Sequence, residues 1–548
     1  MNIIIRSTSF LLNGNPLWDK LTKNTKIDFS NYNDLFSNTK KKTFDFEILL
    51  IFSRDILDQF SINQKNQKNK LNKIVKAIES RAKLSKDTKY LIFFSSYYFN
   101  NLSENIKTNL SNNIKNFFSD KIYKSSKNND NIYYIDIDNF FSEIGFNLCF
   151  DNRNFYHLRC PLSLNGLEIF IKTIKNTIET ICYPKKKVLL LDCDNTLWGG
   201  VLGEIGMSNL ILGQDGIGQA YKDFQKAIKK IKNLGIVLVL LSKNNEKDVR
   251  NVLRNHQDMI LKENDIVAFK VNWKSKSHNI SELSKELHLN SDSFVFWDDN
   301  PIEREVVKKT HKKVEVINPD KNVENWSRQL LEYKHFYKNK ITKEDKVKTI
   351  QYQKRTKFLK EKNNSINEKN YLKSINLKPE IVSLNKSNYL RAEQMCGKIN
   401  QFNFSTKRYN INQLKKLDYC KLINLKDIYG DHGRVGLFGL KVFKNFIFVD
   451  LFLLSCRILG RYLENWIYQE IVKLQKKLKK SKIIFEFKPT EKNVVTKNFI
   501  KNIKLKKIQQ NELKKLKSLN NFQINKKSVY YENDKYFKNQ IISIYEDR

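Results

Sequence analysis

VLLLDCDNTLWGG, residues 188–200, is a run of large aliphatic side chains that stops at a pair of aspartates, Asp192 and Asp194. A short continuous apolar run bounded by polar and turn residues reads as a strand buried on both faces. Alternate side chains share a face, so the two carboxylates leave the strand end on the same side. The pattern repeats downstream. Tyr221, Phe224, Ile228 and Ile231 recur at helical spacing, and that helix stops at Gly235. Ile236–Leu241 is a second buried strand and ends at Ser242. Val249, Val252 and Leu253 mark another helix, and Ile280, Leu283 and Leu287 a further one. Phe294–Trp297 is a strand that ends at Asp298, and Val314–Ile317 closes the series. Buried strands separated by amphipathic helices predict a doubly wound parallel sheet over 185–335.

In such a sheet, ligands collect at the carboxyl ends of the strands. Here those ends read Asp192-Cys193-Asp194-Asn195-Thr196, Ser242-Lys243-Asn244 and Asp298-Asp299-Asn300. Carboxylates gathered this closely call for a hard divalent cation, and oxygen donors with room for water suit magnesium. One carboxylate is then free to attack phosphorus or a carbonyl while the other gives a proton to the leaving group. Ser242 offers a hydrogen bond to a phosphate oxygen, and Asp298 or Asp299 completes the metal shell. A lysine must balance the pooled charge, and both Lys274 and Lys276 lie between strands in NWKSK, residues 272–276. Cys193, between the aspartates, is expected to pack into the core. Trp198 with Gly199 and Gly200 forms either a flap over the site or a plain turn.

DCDNT, LLSKNN, NWKSK and FVFWDDNPIER resemble the four motifs of the haloacid dehalogenase superfamily. The longer strings LDCDNTLWGGVLGEIG, NWKSKSHNI and VFWDDNPIER resemble the FkbH-like proteins within it, and the likeness runs through residues 130–330. The resemblance implies that Asp192 is the nucleophile, Asp194 the acid/base, Ser242 the phosphate-binding hydroxyl and Lys276 the charge balancer. It implies magnesium held by Asp192, Asp194, Asp298 and Asp299. Further on, NQFN (400–403), GDHG (430–433), SCRILGR (455–461) and PTEKN (489–493) look like the C-terminal module of these proteins, which is similar to the GNAT acyltransferase fold. In that fold a strand leads into a turn whose backbone N–H groups hold a cofactor pyrophosphate at a helix N-terminus. The resemblance places Arg457, Gly460 and Arg461 there as cofactor-binding residues. Tyr462 stands where a second glycine or alanine belongs, so a carrier protein's phosphopantetheine arm is expected rather than coenzyme A. Cys456 is either an acyl-accepting thiol activated by Arg457 or a packed strand-end residue.

The remaining chain divides around these blocks. Residues 1–184 alternate apolar strands (Phe46–Phe52, Tyr90–Phe94, Ile132–Ile137) with lysine-rich helices, which predicts an α/β docking or substrate-shaping domain. Residues 336–377 read as a helical connector, and 378–548 as an α+β domain with a central antiparallel sheet. Of 17 glycines, 13 fall between Gly199 and Gly218 or between Gly397 and Gly460, where tight turns or ligand approach are expected. The seven cysteines form no CxxC pair, as in a reducing cytosol. Arg6 cuts the apolar start well short of a signal peptide, and Phe446–Leu454 is too short to span a bilayer. The expectation is a soluble cytoplasmic protein.

The formal net charge of +41 raises a nucleic-acid hypothesis. The excess is mostly lysine spread over every segment, with no recognition helix, zinc finger or RNA-binding strand motif, so no specific nucleic-acid partner is expected. Three readings compete. The first is a phosphatase/acyltransferase that takes a glyceryl group from a phosphorylated three-carbon metabolite and loads an acyl carrier protein, as the FkbH-like resemblance implies. The second is a small-molecule phosphatase whose C-terminal module recognises a partner. The third, a basic non-catalytic binding protein, conflicts with competent residues at all four motif positions.

Overall fold

The computed structural model describes the chain except residues 22–24, 37–42, 57–63, 97–109, 338–344, 346, 366, 514–523, 526, 534–544 and 546–548. The chain falls into two compact units, 1–185 with 337–342, and 186–336 with 343–548.

In the first unit β1 (Asn2–Ser7), β2 (Lys26–Phe29), β3 (Phe46–Phe52), β4 (Lys89–Ser95) and β5 (Ile132–Asp136) form a parallel sheet in the order β2-β1-β3-β4-β5. Its two faces bury separate clusters. The helix Leu164–Cys182 contributes Leu167, Phe170 and Ile174 to one, and Gln64–Leu84 contributes Leu71, Val75 and Ile78 to the other. The apolar N-terminal residues, too short for a signal, are thus a central strand. Arg6 is fully buried within it, with its Nε 2.6 Å from Glu47 Oε1, because a buried guanidinium needs a carboxylate partner.

The second unit holds two sheets. The first is parallel, in the order β10-β9-β6-β7-β8, with β6 (Val188–Leu191), β7 (Val237–Ser242), β8 (Ile266–Val271), β9 (Phe294–Trp297) and β10 (Glu315–Val316). Leu189 and Leu191 face one core cluster and Val188 and Leu190 the other, so β6 is buried on both sides. β8 is an edge strand that the sequence reading passes over. Its run is broken by the half-exposed Phe269 and Lys270, as befits an edge.

The second sheet contains β11 (Lys378–Ser383), β12 (Phe402–Asn403), β13 (Tyr419–Asp427), β14 (Gly430–Val442), β15 (Phe446–Leu454), β16 (Lys482–Phe487), β17 (Lys506–Lys507) and β18 (Val529–Glu532). Its order is β11-β13-β14-β15-β16-β18-β17, with β12 added on β15. Its pairings are antiparallel except β15 with β16, which are joined by a crossover through the helix Leu463–Lys477. The expected fold classes, doubly wound α/β followed by α+β, are those observed.

The connector helix Lys348–Asn364 joins the two sheets of this unit. Tyr352 belongs to a cluster of the first sheet and Phe358 to the core of the second. Between them Arg355, 1% exposed, donates from Nε to Glu286 O (3.2 Å) and from Nη1 to Arg457 O and Leu459 O (3.0 Å each). Burial and the neighbouring Arg461 charge pull its pKa down to about 10. Among the described residues, no helix is long and apolar enough to cross a membrane.

Candidate active site

β6 and β9 are hydrogen-bonded neighbours, and Asp192 N–H donates to Trp297 O at 3.1 Å. This register brings Asp192 beside Asp298 and Asp299. One carboxylate oxygen from each of the three lies within 4.8 Å of the others. Lys276, the first residue of the helix Lys276–Leu287, enters between them. Its Nζ donates to Asp298 Oδ2 at 2.6 Å and lies 3.0 Å from Asp192 Oδ1. The second contact is a 3.0 Å ion pair, with Asp192 Oδ1 buried against the ammonium. Burial opposes the Lys276 charge, but Asp192 and Asp298 outweigh it and hold the ammonium above its usual range.

The acidic side is under strain from the same burial. Desolvation, with the Asp192 charge, pushes the Asp298 carboxyl up to about 6 despite Lys276. Desolvation and Asp192 raise Asp299 as well, while Thr196 Oγ1 donates to its Oδ1 at 3.2 Å. Arg304 braces the turn by donating to Asp298 O (2.8 Å) and Asp299 O (2.6 Å). Lys274 is exposed and paired with Glu282 at 3.1 Å, so of the two lysines it is Lys276 that the structure brings to the carboxylates.

Asp194 is set apart from the cluster. Its Oδ1 accepts from Trp198 Nε1 (3.0 Å) and Leu202 N (3.1 Å), and its Oδ2 from Asn244 Nδ2 (2.9 Å). Its carboxylate is not among the three converging groups. Burial raises its pKa, the two donors to Oδ1 lower it, and the Asp192 charge raises it again; the net direction is up. Trp198 is fully buried and braces Asp194 from beneath, so it is no flap over the site. The loop around it turns on Gly200, whose φ is 99° and whose N–H is held by Asn195 Oδ1 at 2.8 Å. Ser242 is buried at the end of β7 with its hydroxyl beside the fully packed Cys193 thiol.

Asn244 and Gln225 escaped the sequence reading as site residues. Asn244 follows Ser242 by two residues and so shares its direction, which is the signal that was there to use. Gln225 lies inside a helix pattern and carries no such signal. It is completely buried, donates to Leu197 O at 2.7 Å and accepts from Ile260 N and Leu261 N at 2.9 and 3.1 Å.

Cys456, Arg457, Gly460 and Arg461 lie elsewhere. Their turn touches Arg355, which also binds Glu286 near the end of the helix that Lys276 begins. Ten helical residues rise about 15 Å, so the turn sits at the opposite end of the first sheet from Asp192. Burial raises the Cys456 thiol even though Lys187, Arg355 and Arg457 pull it down, contrary to the activation expected from Arg457. Arg457 donates to Ser455 Oγ at 3.2 Å. Arg461 is wholly buried, with Nε 2.9 Å from Asp427 Oδ2 and its guanidinium 3.9 Å over the Phe358 ring, and its two Nη atoms find no hydrogen-bond acceptor among the described residues.

No family model matches the chain, and no curated protein matches it in sequence. Among solved structures, the N-terminal part of BF1531 from Bacteroides fragilis, containing a phosphatase domain complexed with Mg, is similar over 60% of this chain and 93% of its own. That likeness has 24% identity and a TM-score of 0.50. A GNAT-family acetyltransferase from Staphylococcus aureus Mu50 overlaps 28% of this chain and 98% of its own at 11% identity and a TM-score of 0.23. An acetyltransferase from Streptococcus agalactiae 2603 overlaps 28% and 97% at 16% identity and a TM-score of 0.22. The likeness to the phosphatase-domain structure is one of fold, and in this chain the parallel sheet with its polar strand ends is followed by a mixed sheet with a parallel crossover.

Proposed function

We propose that this protein is a magnesium-dependent phosphatase that uses Asp192 as nucleophile on a phosphorylated small molecule. The observation that carries the reading is Asp192 Oδ1, buried 3.0 Å from the Lys276 ammonium and gathered with the Asp298 and Asp299 carboxylates. Asp192, Asp298 and Asp299 offer three hard oxygen donors and would hold Mg²⁺, which when bound neutralises phosphate charge. The chain's own groups divide the remaining work. Asp192 attacks phosphorus and forms an aspartyl phosphate as the bond to the leaving oxygen breaks. Asp194, held off the cluster with its pKa raised, gives that oxygen a proton. It then takes a proton from the water that attacks the aspartyl phosphate, which frees phosphate and restores Asp192. Lys276 and Ser242 hold the phosphoryl oxygens.

The finer reading follows the resemblance. The substrate is a phosphorylated three-carbon acid whose carboxyl group carries a phosphoryl group. The pantetheine thiol of an acyl carrier protein attacks that carbonyl carbon and forms the glyceryl thioester as the carbonyl carbon–oxygen bond to phosphate breaks and phosphate leaves. The α+β block fixed to the phosphatase block by Arg355 supports a second task in the chain. With Cys456 remote and its thiol pKa raised, the carrier thiol is the direct acceptor. Phosphate release from phosphorylated three-carbon acids, with magnesium and with chelator, tests the first reading. Mass spectrometry of a carrier protein incubated with enzyme, magnesium and bisphosphoglycerate tests the second, which fails if no acyl adduct forms.

A further inference from the structure

The GNAT-like resemblance implies a cleft in the C-terminal sheet for a coenzyme A or pantetheine arm, and the residues of this chain do not fit one. β15 and β16 pair in parallel only from Phe446 with Lys482 to Val449 with Phe485. Beyond that register β15 runs on to Leu454 and β16 to Phe487 without pairing. Strands that part expose backbone N–H and C=O groups, and an extended ligand adds there as a further strand. Here the gap holds β12. Phe402 and Asn403 pair antiparallel with Leu454 and Leu453. Phe404 N–H donates to Phe452 O at 3.3 Å, and Phe404 O accepts from Lys488 N at 2.9 Å, so the segment bonds to both arms of the gap. The Phe402 and Phe404 rings are buried against Phe452, with ring centroids 5.1 and 5.2 Å away.

The residues that follow fasten the segment. Ser405 Oγ donates to Asp450 O at 2.8 Å, and Tyr409 OH to Asp450 Oδ2 at 2.7 Å. The Lys407 ammonium pairs with Asp450 on β15 and, at 2.7 Å, with Glu486 on β16. Both carboxylates are buried, and an ammonium between them is what makes that burial tolerable. At the turn, Arg355 takes the Arg457 and Leu459 carbonyls, and Lys362 Nζ donates to Gly460 O at 3.2 Å. Glu464 stands in the first turn of the following helix. A carboxylate there takes the place an incoming anion would need.

We propose that the segment Phe402–Tyr409 is a built-in strand that substitutes for a ligand arm, so that the C-terminal sheet binds neither coenzyme A nor a pantetheine arm. In the carrier reaction proposed above, the arm is received outside this sheet. The inference rests on the C-terminal block alone and stands apart from the phosphatase reading.

Two measurements on the full chain decide it. Calorimetric titration with coenzyme A, and separately with pantetheine, is expected to give no saturable heat; a saturable isotherm in the micromolar range overturns the proposal. Hydrogen exchange is expected to find the Phe404 and Lys488 amides as protected as those of β15, with or without coenzyme A. Fast exchange at these amides while β15 stays protected would show the gap open and overturn it too. Phosphate release measured on the same preparation reports on the phosphatase reading separately.

Discussion

Asp194 is held by three donors while Asp192, two residues earlier, faces the Lys276 ammonium and two further carboxylates, and this difference supports the roles proposed for them. A hydrogen bond to an ionised group contributes about 1.5–3 kcal/mol. Asn244→Ala should therefore lower the turnover rate by about 10–100-fold. KM should change little, since Asn244 reaches substrate only through Asp194; an unchanged rate would show that Asn244 does not position it. Cys456→Ser should leave phosphate release and carrier loading at the wild-type level, because the thiol is half-buried, raised in pKa and remote. Loss of loading alone would restore the thioester relay. Whereas the pattern left Lys274 and Lys276 open and only the resemblance favoured Lys276, the two aspartates were legible because each sits at a strand end whose direction the sequence pattern fixes. The hydrogen bonds that separate Asp194 from Asp192 were not, since they depend on where Trp198, Leu202 and Asn244 come to rest.

The connector helix shows the same limit at the level of elements. Its lysine-rich sequence announced a helix, but nothing in it announced that Arg355 would be buried on three carbonyls from two blocks. β8 was lost for a related reason, because an edge strand mixes exposed and buried positions. β12 was visible only as a motif, NQFN, without a hint that it fills the gap beside β15. Arg355→Ala leaves those carbonyls unpaired at about 1–3 kcal/mol each. Calorimetry of the variant should show a lower melting temperature and a split transition where the wild-type unit unfolds as one. A single transition at the wild-type temperature would show that the arginine does not join the blocks.

Across the whole molecule, the +41 charge is the strongest compositional signal and the least specific one. Some of its lysines pair locally: Lys270 with Glu282 and Glu286, Lys232 with Asp265, Lys222 with Asp258. Binding to mixed-sequence DNA should fall steeply with salt and vanish at moderate ionic strength, as purely phosphate-driven contacts do. Retention at physiological salt with sequence preference would contradict that. The buried strands β6, β7 and β9 and their polar ends were readable because buried parallel strands carry a plain apolar pattern. The relation between the two sheets of the second unit was not, because it depends on a few buried side chains such as Arg355 and Tyr352. The central claim is chemical, and one substitution addresses it directly. Asp192→Asn keeps the side-chain shape but cannot attack phosphorus, so phosphate release with magnesium present should fall by about 1,000-fold or more, with the melting temperature held. Phosphate release at the wild-type rate by that folded variant would contradict the account.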